Sequence, residues 1–219
     1  MPLPARVRAR SLGRSTATRP DELERGQSLV EFALLIPLFL ALLMGLIEFA
    51  FAFNALLNTN YASRGAGLIA AQVGNASAAD CFILNEVELK MGAPADKRQI
   101  SRVDIQRTNP SGSAVYATSA YQRSGSMTCT LTSGAQMSVP YSASSSGYPP
   151  SQRCTVLPPA GCTTLTPART TVDTIAVQIT YVYPWQTPLK ALMPLVNGSL
   201  SGTGFTMVQR NVFRMEPTL

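Results

Sequence analysis

The chain of 219 residues contains no histidine. That absence removes the Ser-His-Asp and Cys-His catalytic arrangements and the commonest metal ligand. Charge is sparse as well: only 14% of residues are Asp, Glu, Lys or Arg. Ser, Thr, Gly and Pro fill much of the remainder, which suits an exported or envelope surface better than a cytosolic enzyme. A phosphate-binding loop, a dinucleotide fingerprint and a CxxC pair are all missing. No acidic pair sits at a strand end or in a Gly-rich turn. The sequence therefore argues against an enzyme, and no catalytic, cofactor-binding or metal-binding residue is assigned.

The net charge of +6 does not describe a nucleic-acid surface. Arg6, Arg8, Arg10, Arg14, Arg19 and Arg25 stand against Asp21, Glu22 and Glu24, so half of the excess lies in residues 1–26. The other charges are scattered singly, without a basic stripe and interleaved aromatics. Nucleic acid is not an expected partner.

What is present is a long apolar run. Residues 25–53 read RGQSLVEFALLIPLFLALLMGLIEFAFAF, and from Phe32 to Ile47 every residue is apolar, Pro or Gly. As a helix, Leu29 to Leu57 would measure about 43 Å, whereas a hydrocarbon core of about 30 Å needs only about 20 residues. A helix over residues 27–57 is therefore expected to span a membrane and protrude from it, with Pro37 tolerated inside. Orientation follows from the flanks. Six Arg precede the run, and after it Arg64 is the only basic residue before Lys90. Residues 1–26 are thus placed in the cytoplasm and the C-terminal region outside. A secretory signal fits poorly, because its apolar region is shorter and carries no acid.

Two acids interrupt the apolar surface. A carboxylate near the centre of a membrane helix costs roughly 2.5 kcal/mol or more. Glu31, five residues after Gly26, reads as a handle for processing and assembly. Glu48 lies about 26 Å further along a straight helix and reads as an interfacial carboxylate just outside hydrocarbon. Phe49, Phe51, Phe53 and Tyr61 read as interfacial anchors.

Residues 58–77 are expected to continue the helix. Leu56, Leu57, Tyr61, Leu68, Ile69 and Val73 approximate an apolar stripe, and Ala62, Gly65, Ala66 and Ala70 form a small face suited to close packing. Gly74 is a plausible C-cap. The exported domain then covers residues 78–219. It opens with a short amphipathic helix over 78–92, with Asp80 as a candidate N-cap and Gly92 at its end. Strand candidates are 100–107, 114–118, 127–131, 172–183 and 205–213. In the fourth, Ile175, Val177, Ile179, Tyr181 and Tyr183 share a face. A turn with a helical element is expected over 185–197. Residues 132–171, rich in Ser, Thr, Pro and Gly, read as a long loop. Helix first and strands later implies an α+β fold with an antiparallel sheet packed on the helix.

All four cysteines follow the apolar run, and an even count in an exported region reads as two disulfides. Three pairings are possible. Cys154–Cys162 is favoured because PPAG between them can turn the chain back, and Cys81–Cys129 then follows by elimination.

Gly26, the acid and Phe at Glu31-Phe32, and the Pro-containing apolar helix together resemble the TadE-like pseudopilins of tight-adherence (Flp-type) pili. The stretch AVQITYVYPWQTPLKALMPLVNG and the closing MVQRNVFRMEP are also similar to that family. The resemblance implies cleavage after Gly26 by a prepilin peptidase, with Gln27 as the mature N-terminus and Glu31 its fifth residue. Gln27 and Phe32 differ from the Phe and Tyr common in type IV pilins, which favours a pseudopilin. Cleavage frees an α-amine with a pKa of about 7.7–8, and Glu31 would compensate its charge on the same or a neighbouring subunit. Implied partners are the peptidase, sibling pseudopilins and pilus platform proteins. The implied place is the bacterial inner membrane, with residues 78–219 in the periplasm. The alternative is an envelope scaffold or sensor that stays anchored and is never cleaved or polymerised.

Overall fold

The computed structural model describes residues 20–158, 160–191 and 204–217. The first 19 residues of the expected leader, most of the turn after 191 and the last two residues lie outside them. The chain divides into two compact units, Met1–Leu43 and Met44–Leu219. In the first, the described residues are helical and their large apolar side chains are exposed, Leu34 at 74% and Phe32 at 65%. Pro37 sits within helix α1, Pro20–Val73.

The second unit has the expected α+β architecture. Helix α2 is Ala79–Lys90, and the strands are β1 (Ile100–Thr108), β2 (Val115–Gln122), β3 (Met127–Thr130), β4 (Gln136–Val139), β5 (Ser142–Ser146), β6 (Thr174–Pro184) and β7 (Gly204–Arg214). The main sheet has the order β5-β2-β1-β6-β7, and its neighbouring strands are antiparallel. Strands β3 and β4 form a separate hairpin. One face of the sheet carries Val103, Ile105, Ile175, Val177, Ile179, Tyr181 and Tyr183, all buried. Branched and aromatic residues with a period of two suit a sheet covered on that side.

The C-terminal part of α1 packs against this sheet through small residues. Ala62, Ser63, Ala66 and Ala70 are fully buried. Ser63 Oγ donates to the Val177 carbonyl at 2.6 Å, and Asn60 Nδ2 donates to Gln209 Oε1 at 3.2 Å. A Cβ on Gly67 would collide with the Phe213 ring, so glycine admits that ring against the helix. The larger apolar stripe behaves otherwise. Leu57, Tyr61 and Leu68 are exposed, while Leu56, Ile69 and Val73 are only partly buried. Close approach of backbone to sheet, which small residues allow, decides which face is buried. Gly74 follows α1 with φ +56°, the left-handed conformation of a helix cap.

Two local expectations need correction. Asp80 lies inside the first turn of α2, and the N-cap position belongs to Ala78 without a side-chain bond. Asp80 turns instead toward buried Arg153 and Tyr121. Residues 132–171 are not one long loop, since they contain β4, β5 and a 3-10 turn at Pro150–Gln152. Strand β5, all Ser and Ala, pairs with β2 while most of its side chains face solvent. Its order comes from backbone pairing, which apolar periodicity does not reveal.

Candidate processing and assembly segment

Gly26 lies within α1. Glycine is about 1 kcal/mol less favourable than alanine in a helix interior, so it weakens this turn of the helix. Gln27 and Glu31 are one turn apart, and Gln27 Nε2 donates to Glu31 Oε1 at 3.2 Å. Both side chains are exposed, as is the adjoining Phe32 ring. Gln27, Glu31 and Phe32 are thus all exposed on one helix. Pairing at a spacing of four contributes only about 0.2–0.5 kcal/mol, so it leaves the carboxylate available to a stronger partner.

The structure treats the second acid quite differently from the sequence reading. Glu48 is 4% exposed, its carboxylate enclosed by the domain, which the sequence reading did not foresee. Its Oε1 accepts from the Tyr183 hydroxyl at 2.6 Å and from the Gln186 amide at 3.1 Å. Oε2 accepts from the Thr187 amide at 2.8 Å. Strand β6 ends at Pro184, and the turn after it presents successive backbone N–H groups to the carboxylate. Burial and the Glu48 carboxylate both push the Tyr183 phenol well above its ordinary pKa. The phenol therefore stays protonated and remains a donor. Tyr183, Gln186 and Thr187 were missed by sequence reasoning. A second acid in an otherwise apolar run, together with a Tyr-Pro strand end, was the available signal.

Among the described residues every cysteine is paired, as Cys81–Cys129 and Cys154–Cys162. The first ties α2 to β3. Glu88, also on α2, accepts from Arg123 Nε at 2.9 Å and Nη2 at 3.2 Å, and from Tyr141 Oη at 2.8 Å. Asp80 pairs with Arg153, whose side chain is fully buried. Asp173 accepts from Tyr148 Oη at 2.8 Å and from the Cys154 amide at 2.9 Å, and pairs with Arg169. These buried polar anchors hold the Ser/Thr-rich segment to the domain.

Residues 26–67 match the family model described as TadE-like protein. Over that segment the chain is similar to TadE-like proteins. The TadE-like match begins at Gly26, includes Glu31 and Glu48, and ends inside α1. It does not reach the C-terminal strands. No curated protein and no solved structure matches the chain. Within the described residues, the TadE-like helix holds the single segment long and apolar enough to cross a membrane, which fits a single-pass membrane protein.

Proposed function

We propose that the chain is a minor pseudopilin of a tight-adherence pilus, cleaved after Gly26 by a prepilin peptidase and used in pilus assembly or initiation. The observation that carries this reading is the TadE-like match over residues 26–67, which starts at the proposed cut and contains the exposed Glu31. Cleavage would place a protonated amine on Gln27, whose side chain already reaches Glu31. In a low-dielectric bundle of helices, the amine and carboxylate of neighbouring subunits would neutralise each other and fix axial register. Leu57, Tyr61 and Leu68 are also exposed and support a role in helix packing.

Glu48 would set the membrane boundary. Its three hydrogen bonds to the domain are incompatible with a lipid-facing position, so the span is Leu29–Ile47, about 28 Å at the α-helical rise. That length suits a hydrocarbon core of about 30 Å. Residues 1–26 would lie in the cytoplasm and the sheet domain in the periplasm, where its disulfides can form. The peptidase, sibling pseudopilins and platform proteins are the proposed partners.

Mass spectrometry of the chain's N-terminus in cells carrying the peptidase tests the reading. A mature start at Gln27 is expected, with no cut in a Gly26→Leu variant. An intact Met1, or a start within residues 65–80, would sink it and leave the anchored scaffold or sensor.

A further inference from the structure

Three stretches of the second unit meet α1 just beyond Ile47, the end of the proposed span. The turn after β6 reaches Glu48 through the Gln186 and Thr187 amides. The loop at Pro94 and Ala95 lines a small cavity with Phe51 and Ala55. The start of β7 faces α1 across an apolar groove of about 240 Å³, lined by Phe49, Ala52, Phe53, Leu56, Phe205 and Met207. Trp185 extends this surface, its ring centroid 5.6 Å from that of Phe205. Among the described residues no charged side chain lines the groove. Phe49, Phe51 and Phe53 are exposed beside it, the first at 68%. An open groove rimmed by aromatic rings calls for an apolar cover.

Position along the helix identifies that cover. At the α-helical rise, Phe49 to Phe53 stand about 1.5–7.5 Å beyond Glu48. A bilayer adds about 5–7.5 Å of headgroup region to each side of its hydrocarbon core. The two intervals coincide, and Asn54, the next residue, is polar and exposed. Tryptophan favours this layer, where one side of its ring is apolar and the other wet. We propose that this rim of the domain sits in the headgroup layer, with the glycerol end of a phospholipid acyl chain in the groove between α1 and β7. The inference rests on the span ending at Ile47, as proposed above, and adds a second membrane contact made by the sheet. A subunit packing against the same groove would have to displace the lipid.

Trp185 is the only tryptophan of the chain and reports on the rim directly. The full chain would be reconstituted in phosphatidylcholine vesicles whose acyl chains carry bromine near either the glycerol end or the terminal methyl. Trp185 emission should be quenched about twofold or more strongly by the glycerol-end bromines, and little by iodide present on both sides of the membrane. Trp185→Phe combined with Tyr116→Trp is the comparison. Tyr116 lies at the far end of the sheet, since Thr108 pairs with both Val115 and Thr174, whereas β6 reaches the rim at Pro184. That variant should show the reverse pattern; if it fails to fold, the two bromine positions still decide. Strong iodide quenching of Trp185 without bromine quenching overturns the seating of the rim. Stronger quenching by the methyl-end bromines overturns the interfacial depth. Protection from both quenchers that grows with the protein-to-lipid ratio assigns the groove to a second copy and overturns the lipid. Alkaline carbonate separates this proposal from the one beneath it. A chain released from the vesicles overturns the span as well, whereas a retained chain with Trp185 unquenched by bromine overturns the rim alone.

Discussion

Around Glu31, α1 exposes large apolar side chains and an open carboxylate; between Glu48 and Ala70 it buries small side chains and a closed one. The same helical backbone thus serves two kinds of contact. In the first, side-chain bulk faces outward, and the carboxylate accepts from the neighbouring Gln27. In the second, bulk is excluded so that the sheet can approach, and the carboxylate is held by a phenol and two backbone amides. Burial is therefore not a matter of hydrophobicity along this helix. The most apolar stretch is the exposed one, which fits a segment whose solvent is lipid or another subunit.

The sharpest way to break the comparison is to exchange size between the two faces. Ala66 is fully buried and Leu68, two residues on, is 48% exposed. Ala66→Leu adds methylenes where the sheet leaves no room and should destabilise the domain by about 1–3 kcal/mol. Leu68→Ala should change stability by no more than about 0.5 kcal/mol. Urea unfolding of the detergent-solubilised chain, followed by the fluorescence of Trp185, would measure both. Equal losses would mean that the small face is not what joins helix and sheet.

Exchanging the carboxylates is the next test, with a comparable effect on stability. Glu48→Gln keeps the shape but turns one acceptor into a donor facing the Gln186 or Thr187 amide. A loss of about 1–3 kcal/mol is expected from the donor left unsatisfied. Glu31→Gln should leave folding unchanged within about 0.5 kcal/mol, since the group is exposed. Its expected effect is on assembly: sibling subunits should co-purify less with the variant while cleavage after Gly26 continues. Full assembly of Glu31→Gln would remove the register role from Glu31, and unchanged stability of Glu48→Gln would remove the anchoring role from Glu48.

Much of this arrangement was legible in the sequence, because it rests on local signals. The apolar run, the period-two face of β6, the glycine cap at Gly74 and the two cysteine pairs each depend on residues close in the chain or on simple elimination. The partners of Glu48 were missed because they lie more than 130 residues away, and a lone acid near a span end has a sufficient local account in the headgroups. Of the two faces read over 56–73, the small one suited to close packing is the buried one, with Ala62, Ala66 and Ala70 at 0% exposure. Periodicity identifies a face but not whether a sheet needs closeness more than area. Asp80 looked like a cap from its place before an apolar run, yet Arg153, 73 residues on, claimed its carboxylate. Strand β5 gave no signal, since Ser side chains that face water leave pairing to the backbone.

The smallest effect expected is a pH dependence in the domain, and it concerns an enclosed carboxylate. Burial by itself would raise the Glu88 pKa. Hydrogen bonds from Arg123 and Tyr141, and the charges of Arg123 and Lys97, outweigh burial and hold it below the ordinary value of 4.5. A carboxyl group more acidic in the folded than in the unfolded chain stabilises the fold when ionised. That contribution is fully present above about pH 5 and is lost as pH falls through the lowered folded value. Glu88→Gln cannot ionise, so its stability deficit relative to the parent chain should be constant above pH 5 and shrink as pH drops below 4.5. Urea titrations at steps between pH 3 and pH 7 would show both curves. A Glu88→Gln deficit that stayed parallel to the parent down to pH 3 would mean that Glu88 is held by packing of its stem and not by its charge.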